Sequence, residues 1–313
     1  MPLFQNNIEI EKDVSLSERS WIKTGGMCGH WIVPKTAKEL EEVCRSLWRD
    51  NKYFDVVGQT SNIFFHSTYS PEIIVSTIKV NHYRIENNIA VCDAGVSVAK
   101  LARECLELGY AGFYGLVGLP GTIASSVYGN AGCFGCSISS MLVSADVLLP
   151  DGCCRTFTKE ELGFSKRSSV FKRKEVIGVI LSVKLKLEKA DDIEKEKKKS
   201  AETVEYRRIR QEKPSWCLGS VYSSLRMRRN IKNIIAQVLA VLSGWLQISP
   251  RQEKMKNILL LLYGYPQLDP YISDKNINTF IWRDTDAEEM FKLYKEFMGK
   301  VFNNLSIEIE ERI

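Results

Sequence analysis

The chain has 313 residues, 44% of them hydrophobic and 26% charged, enough apolar material for two or three cores and incompatible with disordered, collagen-like or low-complexity classes. Its 43 basic and 38 acidic side chains sum to +5, but the surplus is concentrated. Between Glu205 and Lys232 lie Arg207, Arg208, Arg210, Lys213, Arg226, Arg228, Arg229 and Lys232, opposed only by Glu205 and Glu212, so the remainder is close to neutral. One positive segment on a neutral body points to an anionic small ligand rather than to nucleic acid, which calls for a basic face or arm; a solvated basic helix is the plain alternative. The start, MPLFQNNIEIEKD, has charge where a leader needs an apolar stretch, and the greasiest run, 231–246, is interrupted by Lys232, Asn233 and Gln237 and is too short to span a bilayer. A cytoplasmic protein without a membrane span is expected. The nine cysteines are odd in number and scattered, as for reduced thiols, and Cys133-x-x-Cys136 has no second pair or suitably spaced His, so no metal site is expected.

In chain order, Thr36-Ala-Lys-Glu39 reads as a capping box opening a helix with Leu40, Val43, Leu47 and Trp48 on one face. A strand over Phe54–Val57 ends at Gly58, further strands follow at Ile63–Phe65, Glu72–Thr77 and Ile89–Asp93, and a helix from Ser97 stops at Gly109. Residues 109–136 carry glycine at 109, 112, 115, 118, 121, 129, 132 and 135 without clear periodicity, as where backbone approaches something closely. Strands resume at Leu142–Leu149 and Val176–Leu187, and a mixed-charge stretch, 188–199, marks the domain boundary. Beyond it, Ile231, Ile234, Ile235, Val238, Val241, Leu242 and Trp245 form a helical stripe. Asp286-Ala-Glu-Glu289 reads as the cap of a last helix with Met290, Leu293, Phe297 and Val301 inward, and Ser306–Ile313 alternates as a strand.

Two loops carry chemistry. Gly58-Gln59-Thr60-Ser61-Asn62 directly follows a strand, where small residues leave N–H groups and hydroxyls free to hold a phosphate. The tract 116–135 has glycines that let backbone lie against a large planar cofactor. No Rossmann fingerprint and no P-loop is present.

The order Gly58-x-x-Ser-Asn, Gly118-Leu-Pro-Gly-Thr, Asn130-Ala-Gly-x-x-Gly and Glu161-Leu-Gly-Phe-Ser-x-Arg167-Ser-Ser-Val-Phe-Lys172 resembles the UDP-N-acetylenolpyruvoylglucosamine reductase (MurB) family, with further matches at Gln211 to Gly219-Ser220, Ser273–Ile281 and Leu305–Ile313. The resemblance implies an α+β protein: a two-part FAD-binding region of the vanillyl-alcohol-oxidase/MurB type in 1–85 and 86–190, then an α+β substrate domain in 191–313. It implies that Gly58, Gln59, Thr60, Ser61 and Asn62 hold the FAD pyrophosphate, and that Gly118, Pro120, Gly121, Thr122, Ser125, Ser126, Asn130 and Gly132 line the flavin and adenine. In the family NADPH reduces FAD, hydride passes to C3 of an enolpyruvyl UDP-sugar in peptidoglycan precursor synthesis, and a serine protonates C2. Ser220 matches that serine, and Arg167 and Glu310 match the arginine and glutamate that polarise the substrate carboxylate.

Departures gather on the substrate side. Ala124-Ser125-Ser126 replaces Gly-Gly-Ala, Lys166 replaces a tyrosine, Ser223-Ser224-Leu225 stands where the family has Lys-Asn-Pro, and Asn276 stands where it has His. Arg208, Ser223, Ser224 and Asn276 are the substrate-binding candidates, the basic segment offering to grip a diphosphate. Two alternatives stay open: an FAD-dependent oxidoreductase for a different nucleotide-linked sugar, and a flavin-binding relative without catalysis.

Overall fold

A computed structural model describes residues 8–213, 216–245, 251–283 and 286–313, apart from the side chains of 243–245 and 251; the first seven residues, read for a leader, and the Trp245 side chain of the helical stripe lie outside the described residues. The strands are β1 (Glu9–Ser15), β2 (Met27–Val33), β3 (Asp55–Val57), β4 (Ile63–Phe65), β5 (Ile73–Ser76), β6 (Tyr83–Glu86), β7 (Ile89–Asp93), β8 (Gly132–Cys133), β9 (Cys136–Ser137), β10 (Leu142–Leu148), β11 (Cys154–Thr158), β12 (Val179–Lys186), β13 (Tyr222–Met227), β14 (Phe302–Ile307) and β15 (Glu310–Arg312). The helices are α1 (Leu16–Arg19), α2 (Ala37–Arg49), α3 (Val98–Glu107), α4 (Ile123–Tyr128), α5 (Ile138–Met141), α6 (Ile193–Arg210), α7 (Ile231–Trp245), α8 (Arg251–Tyr263) and α9 (Ala287–Val301).

The chain divides into two compact units. The first takes in the N-terminal strand up to Arg19, Gly26–Ser61 and Tyr69–Glu205. It holds a four-stranded sheet in the order β1-β2-β5-β3 and a five-stranded antiparallel sheet in the order β11-β10-β12-β7-β6. Helix α2 buries Leu40, Val43, Cys44 and Leu47 against Ile32, Ile73 and Val75 of the first sheet and Leu148, Val179 and Leu181 of the second, so its apolar stripe joins the two layers. Thr36 caps it as the sequence predicts, its Oγ1 accepting from Glu39 N–H at 3.1 Å. Helices α3 and α4 cover the other core with Leu101, Cys105, Ile123 and Val127.

The tract expected to be aperiodic contains regular structure. Thr122 and Ser125 form a reciprocal capping box that starts α4, and Gly132–Ser137 makes a small hairpin across Phe134 and Gly135. The second part of the mixed-charge stretch, from Ile193 on, belongs to α6, whose only buried residue is Thr203 and which runs across the passage from the first unit to the second at Glu205–Tyr206.

The second unit comprises Ser20–Gly25, Asn62–Thr68 and Tyr206–Ile313. Its core is aromatic, with Phe64, Phe280, Trp282, Phe291, Tyr294 and Phe297 in contact. Strand β15 adds in parallel beside β4, and β13 pairs with β14. Two local expectations need correction. Asp286 does not cap α9: its backbone is already helical (φ −83°, ψ −9°), which turns the side chain away from the third N–H of the helix. The terminal alternation is two short strands with different partners, because the chain leaves β14 at Ile307 and re-pairs with β4 from Glu310. The α7 stripe forms a helix, but Ile231, Ile234, Ile235, Val238, Val241 and Leu242 are all exposed while Asn233, Ala236 and Ala240 are buried.

Candidate functional site

The first unit brings its two glycine loops together. Strand β3 delivers Gly58 against Thr122: a Cβ on residue 58 would lie 2.7 Å from Thr122 Oγ1 and 3.1 Å from its Cγ2, so only glycine allows this approach. One residue on, Gln59 Oε1 accepts from Gly121 N–H at 2.8 Å, closing a clasp between the loops. Thr60 takes the left-handed conformation (φ 56°), Ser61 ends this part of the unit, and Asn62 belongs to the second unit. Gly118 is exposed and Pro120 half-buried, while Thr122 and Ser126 are buried by the capping arrangement that starts α4. Gly132 has a packing reason of its own, since a Cβ there would lie 2.4 Å from Cys136 O.

Asn130 and Arg167 also come together. Asn130 is left-handed (φ 45°), its Nδ2 donates to Ser165 O at 2.8 Å, and its Oδ1 is buried with no hydrogen-bond partner among the described residues. Arg167, left-handed as well (φ 57°), reaches Asn130 O with Nη1 at 3.5 Å from a turn in which Ser165 and Ser168 bond each other's backbone. Buried Ser169 locks that turn by donating from Oγ to Tyr128 O at 2.7 Å. The neighbouring Cys136 thiol is pushed up from its ordinary pKa by burial, partly offset by hydrogen bonds from Gly115 and Tyr114, so it stays protonated.

In the second unit the chain neighbours of Ser220 and Glu310, Val221 and Glu308, are joined by a ladder of backbone bonds. Val221, next to Ser220, donates to Asn278 O at 2.8 Å and accepts from Glu308 N–H at 2.8 Å. Glu310 N–H donates to Asn62 O at 2.8 Å, and Arg312 Nη1 lies 3.7 Å from Glu310 Oε2. Tyr222 is pushed up to about 12, first by burial and then by the Glu311 carboxylate, and burial also raises the Cys217 thiol, so both are neutral near Ser220. The four substrate-binding candidates are not brought into one cluster. Arg208 is exposed on α6, Ser223 and Ser224 donate to Ser306 O (3.2 Å) and Asn304 O (3.1 Å) across the β13–β14 pair, and Asn276 Oδ1 accepts from Asn278 N–H at 3.0 Å inside its own turn.

A buried ionic cluster beside this ladder carries no motif. His66, just after β4, bonds Glu288 of α9 through Nδ1 at 2.9 Å and Glu311 of β15 through Nε2 at 3.2 Å, and Lys295 closes the group on Glu311 at 2.8 Å. Glu288 is held below the ordinary carboxyl range: burial opposes this, but the Ser67 N–H and the His66 ring outweigh it. Spacings of more than two hundred residues leave no trace in a sequence pattern. Among the described residues no group of three or more His, Cys, Asp or Glu side chains is arranged to hold a metal ion.

Comparison with known proteins places the cofactor and the family. A family model described as an FAD binding domain matches residues 30–158. The residues present suit that group on two counts: Gly58, lacking a Cβ, lets the loop after β3 close on Thr122, and Asn130 presents a buried carbonyl oxygen with no hydrogen-bond partner among the described residues. UDP-N-acetylenolpyruvoylglucosamine reductase of Enterococcus faecalis is 30% identical over 217 residues, 69% of this chain and 71% of that protein. The enzyme of the same name from Bacillus pumilus is 30% identical over 208 residues, 66% of this chain and 68% of that protein. In fold, the chain superposes on crystalline UDP-N-acetylenolpyruvylglucosamine reductase (MurB) from Thermus caldophilus with TM-score 0.68 over 98% of this chain and 100% of that one, at 19% identity. With an α+β architecture, an FAD-binding region and this degree of shared sequence, the chain belongs to the UDP-N-acetylenolpyruvoylglucosamine reductase family.

Proposed function

We propose that the protein is an FAD-dependent, NADPH-driven reductase of an enolpyruvyl UDP-sugar in peptidoglycan precursor synthesis, acting in the cytoplasm, with 1–85 and 86–190 as the two FAD-binding subdomains and 191–313 serving the substrate. The observation that carries the cofactor reading is the clasp of Gln59 on Gly121 with the unsatisfied Asn130 Oδ1 and Arg167 beside it. Gly58, Thr60, Ser61 and Asn62 would hold the pyrophosphate, and Gly118, Pro120, Thr122, Ser125, Ser126 and Gly132 the rest of the cofactor. Bound FAD supplies reversible two-electron hydride chemistry. The chain's own work is to place charge and a proton. The Arg167 guanidinium would set fixed positive charge toward the substrate carboxylate, Glu310 would orient that carboxylate with Arg312 at its side, and the Ser220 hydroxyl would hold the proton destined for C2. Arg208, from the basic 205–232 segment, would meet the diphosphate.

A second reading rests on the hydroxyls of Ser223 and Ser224, which are committed to β14 where the family grips substrate with other residues. Under it the substrate is a different nucleotide-linked sugar. The test is anaerobic. NADPH should bleach the flavin spectrum and the enolpyruvyl UDP-sugar should restore it; bleaching without restoration supports the other sugar, and a failure to bleach with either nicotinamide marks a flavin-binding relative without catalysis. In Ser220→Ala, bleaching by NADPH should be unchanged while restoration slows by about 10²–10⁴-fold. Restoration at the wild-type rate would remove Ser220 from the mechanism.

A further inference from the structure

Helix α7 is inverted with respect to the protein it belongs to. Its small and polar face is the buried one, through Asn233, Ala236 and Ala240, while Ile231 (74% exposed), Ile234 (56%), Val238 (51%) and Leu242 (50%) face outward together with Ile235 and Leu239. The orientation is built in. Asn233 Nδ2 donates to Arg228 O at 2.8 Å and Val301 O at 2.9 Å, and Tyr263 Oη donates to Asn233 Oδ1 at 2.9 Å. Rotating the helix to bury its aliphatic face would strip all three bonds and turn the Asn233 carboxamide out to solvent, away from the Arg228 and Val301 carbonyls and the Tyr263 hydroxyl that it now meets. A contiguous aliphatic helix face held outward in this way marks an interaction surface.

The charge around the face says which kind. From 213 to 252 the chain has no Asp or Glu, yet it carries Lys213, Arg226, Arg228, Arg229, Lys232 and Arg251. Arg226, Arg228, Arg229 and Lys232 are exposed immediately before α7 and in its first turn, and none of the four forms an ion pair with a described residue. A second copy docked face to face would set one uncompensated positive segment on another. An acidic partner is wanted, and it must also accept a row of aliphatic side chains. A bilayer rich in anionic lipid offers both at once: phosphate headgroups for the arginines and acyl chains for Ile234, Val238 and Leu242. Fifteen residues of helix extend only about 22 Å, short of the ~30 Å hydrocarbon core, so α7 lies along the surface and does not cross it. No helix among the described residues is long and apolar enough to cross.

We propose that α7, with the basic residues at its start, docks the protein onto anionic membrane surfaces. The test is co-sedimentation of the full-length flavoprotein with vesicles of phosphatidylcholine alone and of phosphatidylcholine mixed with phosphatidylglycerol, at low and high salt, alongside light scattering of the free protein. Sedimentation with the anionic vesicles only, weakened by salt, is expected. Ile234→Glu/Val238→Glu should reduce it at least tenfold while keeping far-ultraviolet circular dichroism and flavin content. Arg226→Gln/Arg229→Gln should weaken it roughly fivefold per lost charge, which keeps the proposal testable if the first variant folds poorly. The proposal is overturned by no sedimentation with anionic vesicles, by equal sedimentation with neutral ones, by binding that survives both variants, or by a stable wild-type dimer that Ile234→Glu/Val238→Glu converts to monomer.

Discussion

Gly58→Ala is the sharpest test of the cofactor cradle. The added Cβ would meet Thr122 Oγ1 at 2.7 Å and its Cγ2 at 3.1 Å, and Thr122 has little freedom to retreat. Its side chain is fully buried, and its Oγ1 accepts from Ser125 N–H at 3.4 Å as the cap of α4. If Thr122 rotates away, the cap is lost at about 1 kcal/mol. If it stays, the overpacking strain of about 1–3 kcal/mol remains, and the β3 loop shifts so that Gln59 no longer reaches Gly121 N–H. By either route the cost is about 1–3 kcal/mol, which corresponds to a fall in Tm of roughly 2–6 °C for a protein of this size. Thermal unfolding followed by circular dichroism, with flavin content read from the visible spectrum of the purified protein, measures both effects. Substoichiometric flavin that added FAD restores only weakly is the expected accompaniment. A variant with full flavin content and a Tm within about 2 °C of the parent would show that the loops are not held against each other as described, and the clasp would cease to support the cofactor reading.

Asn130→Gly keeps the left-handed backbone without strain but deletes the unsatisfied oxygen, so FAD affinity should drop about 3–10-fold in a fluorescence titration of the apoprotein; unchanged affinity would assign Asn130 to the turn alone. His66→Leu leaves Glu288 and Glu311 each without their ring partner in a largely buried group and should cost about 3 kcal/mol in chemical denaturation near neutral pH, and a cost below 1 kcal/mol would mean that Lys295 and Ser67 suffice. Because the Glu288 carboxyl is depressed in the folded protein, its contribution is present above the ordinary value of 4.5 and fades as pH falls through the folded one. The stability gap between the parent and Glu288→Gln should therefore narrow on acidification below about pH 4.5, and a gap that widens would reverse the sign assigned to this carboxyl.

What the residue pattern discloses is set by the range over which each choice is made. Helix α2 is legible because its cap, its stripe and its boundaries all lie within a few turns. Helix α4 had the same kind of signal, Thr122 three residues before Ser125, but the surrounding glycines hid it. The loops at Gly58 and Gly121 are each visible by composition, yet their contact depends on one amide 62 residues away. His66 shows the limit of this, since its partners lie 222 and 245 residues along the chain.

Helix α7 isolates the physical reason. Periodicity determines that Ile231, Ile234, Ile235, Val238 and Leu242 share a face, because helical geometry alone puts them there. It cannot determine whether that face turns toward the core, because that choice compares two burials, one of aliphatic area and one of a polar amide. Burying five aliphatic side chains would favour the inward orientation by several kcal/mol at about 1.5 kcal/mol each or more, if a surface were there to receive them. In this fold the aromatic side chains of β4, α9 and the 280–282 segment already fill the core, and the place beside Val301 is narrow enough for Ala236 and Ala240 and polar enough for Asn233. The aliphatic face is therefore left outward by a bond 68 residues distant, and the basic residues that precede it give that face its electrostatic sign.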